Sequence, residues 1–400
     1  MTPDALRHIR GGHPWVFESS IRSVSHDGAP GDLAVVFGDR REFVAIGLWD
    51  PGSPIRLRIL HSGSPSAVDG SFWRARLASA LGRRAALIAD PATTGFRLVH
   101  GENDAMSGFV ADLYGSTVVV KLYSAAWFAH LPAVLEALVD ATALAGLDVD
   151  RIVVRLSRNL QAGGRTGLRD GLVVLGEEPL RPVEFLENGL RFEADVIGGQ
   201  KTGHFLDQRE NRARVRDLAA GCRVLDVFAC TGGFSLHAAA GGAINVTSVD
   251  LSRRSLATAE ANFAHNATNP AVAAARHTTT VGDAFDVMDD LRGRRRRFDL
   301  VVVDPPSFAQ KEPDRDGAIE AYGRLADLGL DLVEDGGTYV QSSCSSRVST
   351  DEFRAAVRGA AVRSGRRVTV IGETAHAADH PIGFAQGAYL KSLFLTVGAR

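Results

Sequence analysis

The sequence predicts an α/β protein whose C-terminal half folds as a doubly wound, mostly parallel sheet. Strand-like and helix-like segments alternate from about residue 223, short β segments with many breakers fill the first 68 residues, and a mixed α/β pattern lies between them. Regular alternation favours a parallel sheet covered by helices, with ligands at the carboxyl ends of the strands. We expect a β-rich domain at 1–68, a central α/β domain at 69–182 and the doubly wound domain at 183–400.

The first domain is predicted from three short apolar stretches. Residues 33–37, 43–48 and 55–60 are rich in Val, Ile, Leu and Phe and are separated by Gly, Pro and Asp. Runs of this kind between turn residues are typical of short β-strands. The Ser, Gly and Pro residues of 61–66 then indicate a linker.

The central domain begins where the composition changes. Residues 72–89 are rich in Ala, Leu and Arg, with apolar residues at helical spacing, which predicts a helix. Residues 118–122 and 152–156 read as strands, and 131–144 between them reads as a second helix.

The third domain is predicted from strands and helices in alternation. The expected strands are 223–228, 245–250, 298–303, 338–342 and 367–373. The expected helices are 234–240, 252–265, 318–334 and 350–364.

Composition restricts the class of protein. The formal net charge of -2 gives no indication of nucleic-acid binding, and three cysteines do not make a disulfide framework. No apolar run approaches the roughly 20 residues of a membrane span, and the first ten residues lack the apolar core of a secretory signal. We expect a cytoplasmic protein with neither a membrane partner nor a bound metal.

The first strand of the third domain runs into a glycine turn and then a helix. Gly232 and Gly233 lack a Cβ atom, so a ligand can approach the backbone closely there. The segment is neither the G-x-G-x-x-G fingerprint nor a Walker loop. Asp226, near the end of the strand, suits a cationic or hydroxyl-bearing cofactor better than a pyrophosphate.

Two further acids follow in the order expected for a nucleoside site. Asp250 lies 24 residues after Asp226, where nucleotide-binding α/β folds place a carboxylate on the ribose. Asp283 is placed to bind an adenine amino group, with Phe285 beside the ring. Each acid alone could instead cap a helix. For Asp250, helix capping and ribose binding are given equal weight. Together, the three acids after a glycine loop predict S-adenosylmethionine.

The reacting groups are predicted at the next two strand ends. Asp304-Pro305-Pro306 ends one strand, and Ser307 follows where adenine-N6 enzymes usually carry an aromatic residue, which argues against that reaction. Cys344 ends the neighbouring strand. A thiolate that adds to carbon 6 of cytosine makes carbon 5 nucleophilic, which is covalent catalysis. A free cysteine is more often a small buried apolar residue, as we expect for Cys222 and Cys230.

Several long motifs resemble one known family. The chain is similar along nearly its full length to the three-domain rRNA large-subunit cytosine-C5 methyltransferases, which consist of a PUA domain, a central domain and a class I methyltransferase domain with a Rossmann-like sheet. The matching motifs are 10–17, 96–104, 108–114, 199–212, 377–381 and 389–391.

The resemblance implies a role for particular residues. The S-adenosylmethionine site would include Gln200, Lys201, Thr202, Phe205, Gln208, Asp226, Phe228, Thr231, Gly232, Asp250, Leu251, Asp283 and Ala284. Pro305, Pro306 and Ser307 would contact the base, and Asp304 and Cys344 would be catalytic. The implied partner is large-subunit rRNA, naked or partly assembled, and a homodimer is left open.

Three other functions are weighed against this one. A sister group with the same D-P-P signature methylates guanine N7 and has no cysteine at position 344. DNA cytosine methyltransferases carry a Pro-Cys nucleophile, a dipeptide that does not occur here. A non-catalytic RNA-binding or assembly factor would keep the N-terminal domain and tolerate loss of Asp250 and Asp304.

Overall fold

A computed structural model describes residues 1–162, 167–309 and 311–399. It divides into two compact units, of which the first comprises 1–189, 193–206 and 378–387 and the second 190–192, 207–377 and the C-terminal segment from 388. Among the described residues, no helix has both the length and the apolar character needed to cross a membrane. The α/β class and the doubly wound sheet are confirmed.

The first unit begins with a four-stranded antiparallel sheet in the order β1-β4-β3-β2. Its elements are α1 (Pro3–Arg10), β1 (Trp15–Phe17), β2 (Leu33–Phe37), β3 (Phe43–Trp49) and β4 (Ile55–Ser62). The three predicted strands are confirmed to within two residues at each end. Helix α1 was not predicted, although Thr2 caps it by accepting a hydrogen bond from the Ala5 amide at 3.3 Å.

A five-stranded sheet in the order β5-β6-β7-β8-β9 follows in the same unit, with β7 and β8 parallel. Its elements are α2 (Gly70–Gly82), α3 (Ala85–Ile88), β5 (Gly95–His100), β6 (Phe109–Tyr114), β7 (Thr117–Leu122), α4 (Leu131–Leu144), β8 (Arg151–Leu156), α5 (Arg158–Ala162) and β9 (Leu172–Leu175).

The single helix predicted at 72–89 is wrong, because the chain breaks into α2 and α3. Arg84 leaves helical geometry at φ -103° and ψ 8°. Its guanidinium is buried, and it donates to both carboxylate oxygens of Asp104 at 2.8 Å. The turn between the two helices therefore places a charged side chain in the interior against its partner.

The second unit contains a seven-stranded sheet in the order β14-β13-β12-β15-β16-β18-β17. A two-stranded sheet of β10 (Val183–Glu187) and β11 (Leu190–Ala194) precedes it in the chain, and β10 belongs to the first unit. The strands of the second unit's sheet are β12 (Arg223–Val227), β13 (Asn245–Asp250), β14 (Arg276–Val281), β15 (Phe298–Val303), β16 (Val333–Ser343), β17 (Val368–Thr374) and β18 (Lys391–Val397). Its helices are α6 (Arg209–Leu218), α7 (Gly233–Ala240), α8 (Arg253–His265), α9 (Pro270–Ala274), α10 (Ala284–Gly293), α11 (Arg315–Leu332) and α12 (Thr350–Ser364).

One predicted boundary in this unit is wrong, and the last predicted strand occupies an unexpected position in the sheet. The helix expected at 318–334 starts and ends earlier, as α11, because Val333 and Glu334 already belong to β16. The strand expected to end the domain, β17, is antiparallel and lies at the edge, since β18 is inserted between it and β16. Strand β18 was not predicted.

The five parallel strands place their carboxyl ends along one edge. Strand β12 pairs in parallel with β13 and β15, β13 with β14, and β15 with β16. Alternate residues of β12 point to opposite faces, and Leu225 and Val227 belong to the core formed with α10, α11 and α12. The edge where these strands end is therefore the place to look for a ligand site.

Candidate active site

The residues predicted to react or to bind the cofactor lie side by side along this edge of the sheet. In sheet order, Asp283 follows β14, Asp250 ends β13, Asp226 lies in β12, Asp304 follows β15 and Cys344 follows β16. Residues separated by more than 100 positions in the chain thus share one side of the second unit.

Asp226 is a fully buried carboxyl group with one unsatisfied oxygen. Its Oδ2 accepts hydrogen bonds from the Ser235 amide at 3.0 Å and the Ser235 hydroxyl at 2.6 Å. Within the described part of the chain, Oδ1 has no hydrogen-bond partner. Burial raises the pKa of Asp226 to about 6, although the Ser235 bonds favour the charged form. A buried acceptor without a partner costs about 1–3 kcal/mol, which a ligand donor at this position would offset.

The backbone of the loop after β12 is strained. Phe228, Cys230 and Gly232 have φ angles of 65°, 49° and 75°, so every second residue is left-handed. A bulky residue such as Phe at positive φ is uncommon, and strain of this kind clusters at ligand sites. A Cβ atom on Gly232 would lie 2.7 Å from the Cβ of Ala259, so glycine is required there for space as well as conformation.

Asp250 holds this loop in place. Its Oδ2 accepts from the Cys230 amide at 2.9 Å and its Oδ1 from the Ser252 amide at 2.8 Å. The N-cap residue of α8 is Ser252, so Asp250 fixes the turn before that helix and does not cap it. Each carboxylate oxygen of Asp250 keeps a second lone pair. Asp283 caps α10 by accepting from the Phe285 amide at 2.9 Å, and this contact is exposed to solvent.

These features fit a nucleoside cofactor with a cationic centre. They provide three carboxyl groups, a glycine at the close approach and one buried oxygen that lacks a donor among the described residues. S-adenosylmethionine offers ribose hydroxyls, an adenine amino group and a positive charge to such groups.

Asp304 is a half-buried carboxyl whose proton affinity is unusually high. The side-chain amide of Gln208, just before α6, donates to its Oδ1 at 2.8 Å. Burial first, then the negative charges of Asp207 and Asp226, raise the pKa of Asp304 to about 7, against the opposing effects of Arg212 and the Gln208 bond. Near neutral pH the group is therefore able to donate a proton as well as to accept one.

Cys344 lies beside the D-P-P turn. Its Sγ is 3.7 Å from the carbonyl oxygen of Pro305, and the side chain is half-buried. The structure thus brings the predicted nucleophile together with the Asp304-Pro305 segment. Pro305 itself is buried, Pro306 is exposed, and the Ser307 hydroxyl donates to the Ala309 carbonyl at 3.3 Å.

The remaining predicted cofactor residues of the second unit differ in exposure. Phe228 and Thr231 are half-buried, Ala284 is buried, and Leu251 is 74% exposed. The Leu251 side chain is therefore accessible to a ligand from solvent.

Four predicted cofactor residues lie in the first unit. Gln200 and Lys201 are exposed, and the Lys201 ammonium lies 4.1 Å from the centre of the Phe205 ring. Thr202 is buried, and its hydroxyl donates to Asp112 at 2.6 Å. The Thr202 side chain thus already has a strong structural role inside its own unit.

Other residues at the site were missed by the sequence analysis. Ser235 donates to one oxygen of Asp226, Asp207 raises the pKa of Asp304, and Lys391 lies at the start of β18. No motif marks a serine nine residues after an acid, and the 389–391 motif contains Lys391 without indicating a role for it. Among the described residues, no group of three or more His, Cys, Asp or Glu side chains is arranged to hold a metal ion.

Comparison with known protein families gives two matches. Residues 97–354 match the model of an S-adenosylmethionine-dependent methyltransferase family, and residues 1–62 match that of a PUA-like domain. The first match covers more than half of the chain.

Similar proteins are known in several bacteria. A "Ribosomal RNA large subunit methyltransferase" of Deinococcus radiodurans is 49% identical over 393 residues, which cover 97% of this chain and 94% of that protein. A "Ribosomal RNA large subunit methyltransferase I" of Shewanella amazonensis is 35% identical, with 99% of this chain and 98% of that protein covered. A solved structure described as a putative SAM-dependent methyltransferase from Streptococcus mutans has a TM-score of 0.82 at 21% identity and covers 98% of each chain, which shows a common fold.

Proposed function

The chain belongs to the family of S-adenosylmethionine-dependent methyltransferases that carry an N-terminal PUA-like domain, and from this we propose that it forms 5-methylcytosine in large-subunit ribosomal RNA. Cytosine is proposed as the methylated base because Cys344 lies at a strand end beside the Asp304-Pro305 segment. A guanine-N7 enzyme has no use for a cysteine there.

The RNA substrate is proposed from the relatives. Proteins named as ribosomal RNA large subunit methyltransferases match this chain over nearly its whole length. In the proposal, residues 1–68 and 69–182 hold naked or partly assembled RNA in the cytoplasm, chiefly through phosphate contacts that position without specifying sequence. Residues 183–400 carry out the reaction.

The proposed cofactor set joins the strand-end acids to the residues that the resemblance implies. Asp226, Asp250 and Asp283, with Gly232 at the close approach, are proposed for the nucleoside and the cationic centre. Phe228, Thr231, Leu251, Ala284 and Gln208, together with Gln200, Lys201, Thr202 and Phe205, complete the proposed set. When bound, S-adenosylmethionine supplies an electrophilic methyl group that carbon 5 of the base accepts as the carbon–sulfur bond breaks.

The protein residues make carbon 5 able to react. A flipped cytosine would exchange stacking in the RNA for contacts with Pro305, Pro306 and Ser307. The thiolate of Cys344 forms a bond to carbon 6, and the electron pair of the 5,6 double bond moves toward N3. Neutral Asp304 donates its proton to N3, so that no full negative charge builds up on the ring.

The reaction ends by restoring the double bond and the thiolate. After methylation, carbon 5 carries both the methyl group and its original proton. Loss of that proton to a base returns an electron pair to the 5,6 bond and expels the Cys344 thiolate, while Asp304 regains its proton from N3. Cysteine and aspartic acid therefore both end the cycle in the state in which they began it.

Methyl transfer to protein-free large-subunit rRNA tests the proposal. The purified protein, rRNA and methyl-labelled S-adenosylmethionine are incubated, and the RNA is digested to nucleosides. We expect 5-methylcytidine from the wild type, none from Cys344→Ala, and undiminished product from the matched control Cys222→Ala, which changes a half-buried cysteine at the opposite end of β12 from the site. A different methylated nucleoside would overturn the assignment of the base.

A further inference from the structure

Lys391 is a buried amine next to the proposed nucleophile. It is the first residue of β18 and pairs across the sheet with Ser343, the residue immediately before Cys344. Only 6% of the residue is exposed. Lysine is almost never buried to this extent without a partner that stabilises its charge.

The Lys391 ammonium is bound entirely by the main chain. Its Nζ donates to the carbonyl oxygens of Ser345 at 2.6 Å, Val348, and Tyr389 at 3.3 Å. An ammonium has three N–H donors, so these bonds use all of them. Two of the acceptors belong to the loop that follows Cys344, and Lys391 therefore fixes the shape of that loop.

None of the ion pairs formed by the described residues includes Lys391. Burial lowers its pKa to about 8, and negative charge on Cys344 is the influence that opposes this shift. A buried charge without a counter-ion is unfavourable, whereas an opposite charge nearby favours the charged form of both groups. The arrangement is neutral overall when Cys344 is a thiolate.

We propose that the Lys391 ammonium stabilises the thiolate of Cys344 through space while it positions the loop that follows this cysteine. Lys391 is a positioning residue, since its donors are used by carbonyls and do not reach the substrate. The inference rests on the proposed role of Cys344 as nucleophile.

Three other ionisable groups close to Cys344 in the fold are less suited than Lys391 to supply a buried positive charge. Tyr322 of α11 is buried, and its pKa is raised to about 12. Asp304 is neutral or negative. Arg347, in the same loop, is half-exposed and pairs with Glu312. Of these groups, Lys391 is the one that is both cationic and buried beside the strand end that carries the cysteine.

Thiol alkylation as a function of pH tests the proposal without RNA or cofactor. The full chain is treated with iodoacetamide from pH 5.5 to 10, and mass spectrometry of peptides gives the rate at each cysteine. Because the thiolate is the reactive form, the midpoint of the rate curve reports the pKa of that thiol. In the wild type we expect the Cys344 midpoint to lie below that of Cys222, whose pKa is raised by burial.

Two substitutions separate charge from shape. Lys391→Met is expected to raise the Cys344 midpoint by about one pH unit, which slows its alkylation at pH 7 about tenfold, since one unit is a factor of ten in thiolate at that pH. Lys391→Arg keeps the charge, and its midpoint should stay near that of the wild type. Neither change should move the midpoint of Cys222.

The proposal is overturned if Lys391→Met changes the maximal alkylation rate of Cys344 but not its pH midpoint. Lys391 would then only hold the loop in place and would not act on the charge of the thiolate. It is equally overturned if the wild-type Cys344 midpoint is no lower than that of Cys222, a result that stands even if Lys391→Met does not fold. Failure of the proposed function looks different: Cys344→Ala would still make product, whatever the alkylation curves show.

Discussion

Replacing Asp304 by Asn should remove catalysis and, at alkaline pH, stabilise the fold. The folded protein holds the Asp304 proton with a pKa of about 7, against 3.8 for an ordinary aspartate. Between these values the unfolded chain has lost the proton that the folded chain keeps. Unfolding therefore releases a proton, and the contribution of Asp304 to stability falls as the pH rises toward 7.

The size of the effect follows from the pKa of about 7. From pH 5.5 to pH 8 the contribution of Asp304 changes by roughly 1.5 pH units at about 1.36 kcal/mol per unit, or about 2 kcal/mol, and most of this is lost by pH 7. The amide introduced by Asp304→Asn cannot ionise, and its oxygen can still accept a hydrogen bond from Gln208. The stability of this variant relative to the wild type should thus rise by about 2 kcal/mol between pH 5.5 and pH 8.

The assay must follow the second unit. All four tryptophans lie between residues 15 and 127, in the first unit, so their fluorescence does not report on β15. Hydrogen exchange read by mass spectrometry in peptides of β12 and β15, during urea unfolding at pH 5.5 and 8, gives the free energy locally. Asp283→Asn, at a helix cap where Asn serves as well as Asp, is the matched control and should show no pH-dependent difference from the wild type. Equal behaviour of Asp304→Asn and the control would refute the raised proton affinity of Asp304.

Two further predictions concern the cofactor loop and the carboxyl beneath it. Gly232→Ala should lower the melting temperature and weaken S-adenosylmethionine binding at least tenfold by calorimetry. The control is Gly221→Ala, which is also at positive φ but has nothing within 4 Å of its Cβ, and it should show only the backbone strain of about 1 kcal/mol. Equal effects of the two substitutions would contradict the clash with Ala259. Ser235→Ala removes a hydrogen bond to charged Asp226, so the pKa of that carboxyl should rise further above 6. The pH midpoint of cofactor binding should then move upward. An unchanged midpoint would count against a role for ionised Asp226.

The sequence predicted where the candidate site residues of the second unit lie in the fold, because that placement depends on strand ends. Asp226, Asp250, Asp304 and Cys344 each lie at or next to the carboxyl end of a predicted strand, and parallel strands bring such ends to one edge. The doubly wound sheet was predictable from the same alternation. Local patterns were sufficient wherever one strand or helix could be read by itself.

What could not be predicted depends on contacts between distant positions. Arg84, between α2 and α3, turns inward to pair with Asp104, a pairing that no helical periodicity reveals. Strand β18 pairs beside β16 although the order of segments along the chain gives no sign of an inserted antiparallel strand. The high pKa of Asp304 arises from burial and from Asp207, which precedes it by 97 positions in the chain.

Trapping of the covalent intermediate tests the central claim most directly. Large-subunit rRNA that contains 5-fluorocytidine carries fluorine where the proton must leave, so the adduct cannot be resolved after methylation. The wild type with S-adenosylmethionine should form a complex with this RNA that survives denaturation, and digestion should find the nucleotide on the peptide that contains Cys344, with none formed by Cys344→Ala. Active enzyme that methylates rRNA but yields no such complex, or a complex linked through another residue, would contradict the cysteine mechanism.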